Sequence, residues 1–255
     1  MAPTLDPVRW GPATGTALAA LGWDAAYAAT YTEYAPRSAD HRPGRVACAV
    51  AGICTVLTAA GVVRASLAGN VLACAARDLS ALPCAGDWVV LRTWPDRKVT
   101  VEAVLPRRAT VLRRADARHL VAANVDVAAV VEPATPEPDP ERLARLLALA
   151  GESGARVLVL LSKADLAPDP AAVVARLADR VPHVTVSPVS VARPDSLAPL
   201  RPLVAPGRTL ALLGPAGAGR SSLVNALAGA PVTVGRRDGP VLVPLPGRGA
   251  VVDAP

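Results

Sequence analysis

The chain has 255 residues, 52% of them hydrophobic and 19% charged, a balance that excludes a disordered protein and leaves room for two cored domains. A formal net charge of +6 and a pI near 9.7 favour an anionic partner such as nucleic acid or a membrane surface. Cys48, Cys54, Cys74 and Cys84 form no C-x-x-C pair and meet no histidine cluster, so they read as buried apolar residues of a reduced compartment, without a metal site.

Residues 1–40 mix Trp10, Trp23, Tyr27, Tyr31 and Tyr34 with turn formers and are expected to form a helical lead-in. No charged-then-apolar leader opens the chain, so secretion is not expected. Residues 46–63, VACAVAGICTVLTAAGVV, run 18 positions without a charge, long enough to raise a membrane helix. Glycines at 44, 52, 61 and 69 interrupt the stretch regularly, however, and β-branched residues are common between them. That rhythm fits short antiparallel strands joined by tight turns, and no membrane segment is expected. RVACAV, ICTVLT, VVRASLAG, GDWVVLRTW and KVTVEAVL then read as strands of a small barrel over 41–110, with an OB-fold the expected type.

The pattern changes near Ala122. NVDVAAVVEP reads as a buried strand, and PERLARLLALAGESG as an amphipathic helix opened by Pro140 and Glu141. Strand RVLVLLS, helix AAVVARLADRV, strand HVTVSPVS, a further helix, strand RTLALL and helix SSLVNALAG come next, with VLVPL and GAVVD last. Strands alternating with helices over 118–255 predict a doubly wound, mostly parallel sheet. Ligands in such sheets bind beyond the carboxyl ends of the strands.

Three motifs sit at such ends. GPAGAGRSS at 214–222 has the spacing of a phosphate-binding loop, G-x-x-x-x-G-K-[ST], between a strand and a helix. Gly214, Pro215, Ala216, Gly217, Ala218 and Gly219 would turn backbone N–H groups toward phosphate, with the helix N-terminus behind them. Ser221 holds the Mg²⁺-binding position, Ser222 comes directly after it, and Arg220 stands where the motif has lysine. The second motif, Ser162-Lys163-Ala164-Asp165, approximates N-K-x-D. There the aspartate accepts from two guanine N–H groups, the lysine stem packs along the base, and the asparagine ties the two loops together. The third, GAVVDAP, delivers Asp253 at a strand end, placed to hold Mg²⁺ through water.

The base-reading candidate precedes the phosphate loop by about fifty residues, the reverse of the usual GTPase order. This marks a circularly permuted GTPase. From about residue 20 onward the chain resembles the ribosome small-subunit-dependent GTPase A (RsgA) family. GDWVVL, VEAVLPRRATVLRR, AANVDVAAVV, RLLALAGESGARVLVLLSKADL and APGRTLALLGPAGAGRSSLVNALAG carry the resemblance. It implies an OB-fold barrel followed by a permuted GTPase domain, with GTP or GDP and Mg²⁺ as ligands. It further implies a cytoplasmic protein, expected to be monomeric, that acts on the small (30S) ribosomal subunit and its 16S rRNA late in assembly. Arg107, Arg108, Arg113 and Arg114 are then candidates for rRNA contact.

Several features depart from the family pattern. Arginine is planar and bulkier than the lysine it replaces. Ser162 in place of asparagine is expected to weaken the tie between loops. GRRDG at 235–239 passes directly to PVLVPLPG, so the switch threonine has no counterpart (Thr233 lies too early), and slow GTP turnover is expected. The family's C-terminal zinc domain would come after Pro255, so no zinc ligand is assigned here. The alternatives are a degenerate, non-hydrolysing ribosome- or RNA-binding protein, or an ATPase in which Asp165 is incidental.

Overall fold

The computed structural model describes residues 18–35, 38–115, 117–231 and 239–254, with 113–115 and 117–119 described by their backbone. After a 3-10 turn at Leu18–Leu21 comes α1, Ala25–Tyr34, whose first turn is capped by the Asp24 side chain accepting from the Tyr27 N–H. Trp23 and Tyr27 pack against Trp88, with ring centroids 4.8 and 5.7 Å away. This aromatic cluster fixes the lead-in to the barrel wall that carries Trp88.

Strands β1 (His41–Val50), β2 (Ile53–Thr58), β3 (Gly61–Leu67), β4 (Trp88–Thr93) and β5 (Val99–Val104) close into a barrel in the order β1-β2-β3-β5-β4. All pairs are antiparallel except β3 with β5, and the strand order is that of an OB-fold. Between β3 and β4 lies α2 (Gly69–Arg77), a helix the strand rhythm of this region conceals. It inserts Val71 among Val46, Val56, Leu91 and Val101 of the barrel interior.

The charge-free stretch has a packing reason. Its residues form β1, β2 and the start of β3, and β1 is covered on both sides. Val46 faces the barrel interior, whereas Ala47 and Cys48 join the core clusters of the second domain. A strand between two apolar layers has no face left for charge. No helix among the described residues is long and apolar enough to cross a membrane. Cys48, Cys54 and Cys84 are buried, but Cys74 on α2 is exposed, correcting the expectation for that cysteine.

A hairpin of β6 (Thr110–Ala115) and β7 (Ala117–Ala123) leads into the second domain. There β8 (Val127–Pro133), β9 (Arg156–Ser162), β10 (Thr185–Pro188), β11 (Thr209–Leu213), β12 (Val241–Pro244) and β13 (Ala250–Ala254) form one sheet, ordered β10-β9-β8-β11-β13-β12. It is parallel apart from β12 against β13. Central strands β8 and β11 are buried on both faces, as their unbroken apolar runs require. Helices α3 (Pro140–Gly151), α4 (Pro170–Arg180) and α5 (Arg220–Ala228) are preceded by the cap residues Asp139, Asp169 and Gly219 respectively. The further helix before β11, Pro194–Val204, is a 3-10 segment, because Pro199 and Pro202 inside it have no N–H to donate.

The two domains share a polar bolt. Arg45, fully buried, donates to the carbonyls of Leu21, Gly86 and Asn124. Asn124 donates from its amide nitrogen to Gly86 and accepts from the Tyr27 hydroxyl at 2.8 Å and the Arg108 N–H at 2.9 Å. Lead-in, barrel and sheet meet at these side chains.

Candidate functional site

β11 runs into Gly214, and α5 starts at Arg220, so residues 214–219 form a loop at the carboxyl end of a central parallel strand. The backbone of β8 passes so close that a Cβ at Gly214 would lie 2.3 Å from the Val131 carbonyl oxygen. Gly219, the residue before the helix, adopts φ +87°, where a side chain is strained. The first N–H groups of α5 have no partners within the helix and face the loop with the positive end of its dipole. Pro215, Ala216, Gly217 and Ala218 complete the loop, closed by an Ala218 N–H bond to the Pro215 carbonyl at 3.2 Å. Ser221 and Ser222 lie on the first turn of α5, and both are exposed.

The Ser162-Lys163-Ala164-Asp165 segment leaves the carboxyl end of β9 and comes to the same place. Ser162, although shorter than asparagine, makes the tie between loops. Its hydroxyl donates to the Ala218 carbonyl at 2.6 Å and lies 3.2 Å from the Glu132 carbonyl. The tie between the two loops is therefore made in this chain by serine in place of asparagine. Lys163 takes a left-handed conformation, φ 53°, with its Cε about as far as van der Waals contact, 4.0 Å, from a Cβ built on Gly219.

Asp165 sits in a 3-10 turn and accepts from the Ser190 hydroxyl at 2.5 Å. That bond holds its carboxyl below the usual carboxylate range, so it is an ionised acceptor near neutrality. Ser190 is in turn fixed through its N–H by Ser196 at 2.8 Å. Sequence reasoning gives Ser190 no role; the available signal is its place just past the carboxyl end of β10. Glu132 escapes it too, although it is fully buried at the end of β8 and gripped by both arms of Arg142 at 2.8 and 2.9 Å.

Ser221 and Asp253 come together, the hydroxyl donating to Asp253 Oδ2 at 2.8 Å. Asp253 is 7% exposed, and its buried Oδ1 has no hydrogen-bond partner. A hydroxyl beside a carboxylate is a donor pair used by hard divalent cations such as Mg²⁺, but the oxygen free of hydrogen bonds already has the Arg220 guanidinium 3.5 Å away. Arg220 does not extend toward the loop mouth. Its Nη1 donates to the Ala254 carbonyl and lies 3.5 Å from Asp253 Oδ1. Burial there lowers the guanidinium pKa, with Asp253 opposing the shift.

Of the four basic candidates for RNA contact, Arg107 is committed internally. It pairs with buried Asp87 at 2.7 Å and donates to the Ser80 and Leu82 carbonyls, which corrects its reading as an open contact. Arg108 is half exposed, paired with Asp24 and stacked 3.8 Å over the Tyr27 ring. The side chains of Arg113 and Arg114, and the switch segment 232–238 with Thr233, lie outside the described residues.

A barrel of OB order, a mostly parallel sheet, and a base-loop candidate preceding the glycine-rich loop define a circularly permuted GTPase. The family model described as RsgA GTPase matches residues 104–236. The chain is 36% identical over 270 residues to the small ribosomal subunit biogenesis GTPase RsgA of Opitutus terrae, covering 93% of this chain and 71% of that protein. Against the protein of that name from Streptomyces coelicolor the figures are 38% over 259 residues, 94% and 69%. The crystal structure of YjeQ from Thermotoga maritima superposes with a TM-score of 0.63 at 23% identity, covering 84% of this chain and 74% of that one. The structure of YloQ, a circularly permuted GTPase, gives 0.60 at 24%, covering 87% and 74%. The chain belongs to the RsgA GTPase family.

Proposed function

We propose that this protein binds GTP and GDP with Mg²⁺ and hydrolyses GTP in the biogenesis of the small ribosomal subunit. The observation that carries the reading is the 2.6 Å bond from Ser162 to Ala218, which joins the base-loop candidate and the glycine-rich loop into one cradle. In it, the backbone N–H groups of 214–219, with Ser221 and Ser222, take the phosphates. Asp165, kept ionised and aimed by Ser190, accepts the paired guanine N–H donors, a pairing adenine does not offer. The Lys163 stem covers the base, and Ser221 with Asp253 are the residues that would hold the metal, in competition with the Arg220 guanidinium 3.5 Å from Asp253 Oδ1. When bound, Mg²⁺ supplies charge neutralisation at the terminal phosphates.

The relatives' name supports the ribosomal role, and the basic balance of the chain suits a partner built on 16S rRNA. Arg108, Arg113 and Arg114 are the rRNA contacts in this proposal, made by a cytoplasmic monomer. The engagement of Arg220 with Ala254 favours slow hydrolysis, since the residue at the motif's lysine position is then turned to β13 instead of the phosphates. The test is competition of fluorescent GDP by GDP and ADP, followed by GTP turnover with and without small subunits. Guanine-selective displacement and stimulated turnover are expected. Equal displacement by ADP would overturn the base assignment. Turnover unmoved by subunits would favour the non-hydrolysing scaffold.

A further inference from the structure

We propose that Arg220 sets the metal requirement of this nucleotide site: paired with Asp253, its guanidinium occupies the place to which that carboxylate would draw Mg²⁺, and nucleotide is bound with little dependence on the metal. The inference rests on the guanine-nucleotide reading of the site.

Three features of the chain carry it. Asp253 is nearly buried and has one oxygen occupied by Ser221 and the other free of hydrogen bonds. Among the described residues, the cation paired with that free oxygen is Arg220, its Nη1 at 3.5 Å and itself largely shielded from water. Two cations drawn to one buried carboxylate oxygen oppose each other, and the resident one is covalently attached. The same Nη1 also donates to the carbonyl of Ala254, the last described residue of β13.

Geometry explains why the residue type matters. A lysine carries a compact charge on a flexible stem and can swing from carboxylate to phosphate as nucleotide enters. A planar guanidinium held at once by a strand carbonyl and a carboxylate gives up both contacts if it swings. With Arg220 retained at β13, phosphate charge is met by the backbone N–H groups of the loop and the α5 terminus. These donors need no metal.

The experiment titrates fluorescent GDP into the 255-residue protein, and into Arg220→Lys and Arg220→Met, each in excess Mg²⁺ and in excess EDTA. Circular dichroism melting confirms that each protein is folded. The ratio of Kd in EDTA to Kd in Mg²⁺ is expected to stay below about threefold for the wild type and to exceed about tenfold in at least one variant. Arg220→Met removes the resident charge outright, so the outcome does not depend on where a lysine would settle. A wild-type ratio as large as that of both variants, or three flat ratios, overturns the role of Arg220 while leaving GDP binding intact. Failure of every folded protein to bind GDP overturns the nucleotide reading itself, and this inference with it.

Discussion

The Ser162 hydroxyl donates to the Ala218 carbonyl across 2.6 Å, so that the end of β9 and the loop after β11 are held as one surface although β8 separates the two strands. The bond is buried, and Ala218 is too little exposed to exchange it for water. Ser162→Ala would leave that carbonyl unsatisfied.

The expected cost of Ser162→Ala is about 1–2 kcal/mol of folding stability, from one lost hydrogen bond and one desolvated acceptor. GDP affinity should fall several-fold in step, because the two halves of the cradle lose their fixed distance. Urea denaturation and GDP titration read the two effects. An unchanged denaturation midpoint would mean the contact carries no stability.

Gly214 and Gly217 separate crowding from backbone strain. A methyl at 214 meets the Val131 carbonyl at 2.3 Å, and that backbone oxygen lies in the sheet and has nowhere to go. A methyl at 217 meets nothing within 4 Å, but φ there is +79°. Gly217→Ala should cost about 1 kcal/mol from the left-handed backbone alone. Gly214→Ala should cost more, about 2–3 kcal/mol, by forcing the loop off β8. Thermal melts of the two variants decide the order, and a milder effect at 214 would contradict the close approach.

How legible each part of this architecture is in the sequence depends on how local its causes are. The alternation of β-branched residues and glycines marks the barrel strands, and Pro140 after a helix-capping Asp139 marks the start of α3. Helix α2 is hidden because its nine residues come after a strand without a side-chain cap, and its burial depends on the barrel closing around Val71. The glycine-rich loop is legible as a strand–loop–helix pattern. The direction of Arg220 is not, since it depends on β13 lying beside β11, a pairing across some forty residues of chain. Ser190 escapes for the same reason: its meaning is Asp165, 25 residues away, and only the fold brings the two together.

Arg45 is expected to be the costliest side chain to remove at the domain junction. Burial pulls its pKa down to about 10, mainly by desolvation, so it remains charged at neutral pH while serving three carbonyls. Its guanidinium also lies 5.3 Å from the Trp88 ring centroid. Arg45→Met keeps most of the volume but strands the carbonyls of Leu21, Gly86 and Asn124, and should cost about 3 kcal/mol. Urea unfolding monitored by tryptophan fluorescence, sensitive to Trp23 and Trp88, measures it. A neutral substitution would mean that apolar packing alone holds the junction.

Asp24 offers a prediction with a defined pH window. Its carboxylate is gripped by both arms of Arg108 at 2.6 and 2.7 Å and accepts the Tyr27 N–H, which together hold its pKa at about 2 against an ordinary 3.8. Asparagine caps helices as well as aspartate does, so Asp24→Asn removes the charge pair and spares the cap. Because the folded pKa is depressed, the stabilisation is complete above the unfolded value near 3.8 and disappears as pH falls through about 2. Both side chains are about half exposed, so solvent screening keeps the contribution below about 1 kcal/mol. Urea unfolding of the wild type and Asp24→Asn should therefore differ modestly at neutral pH, converge between pH 4 and pH 2, and differ less in high salt. The absence of any gap at neutral pH would show that Asp24 acts through the cap alone, with the Arg108 pair contributing nothing.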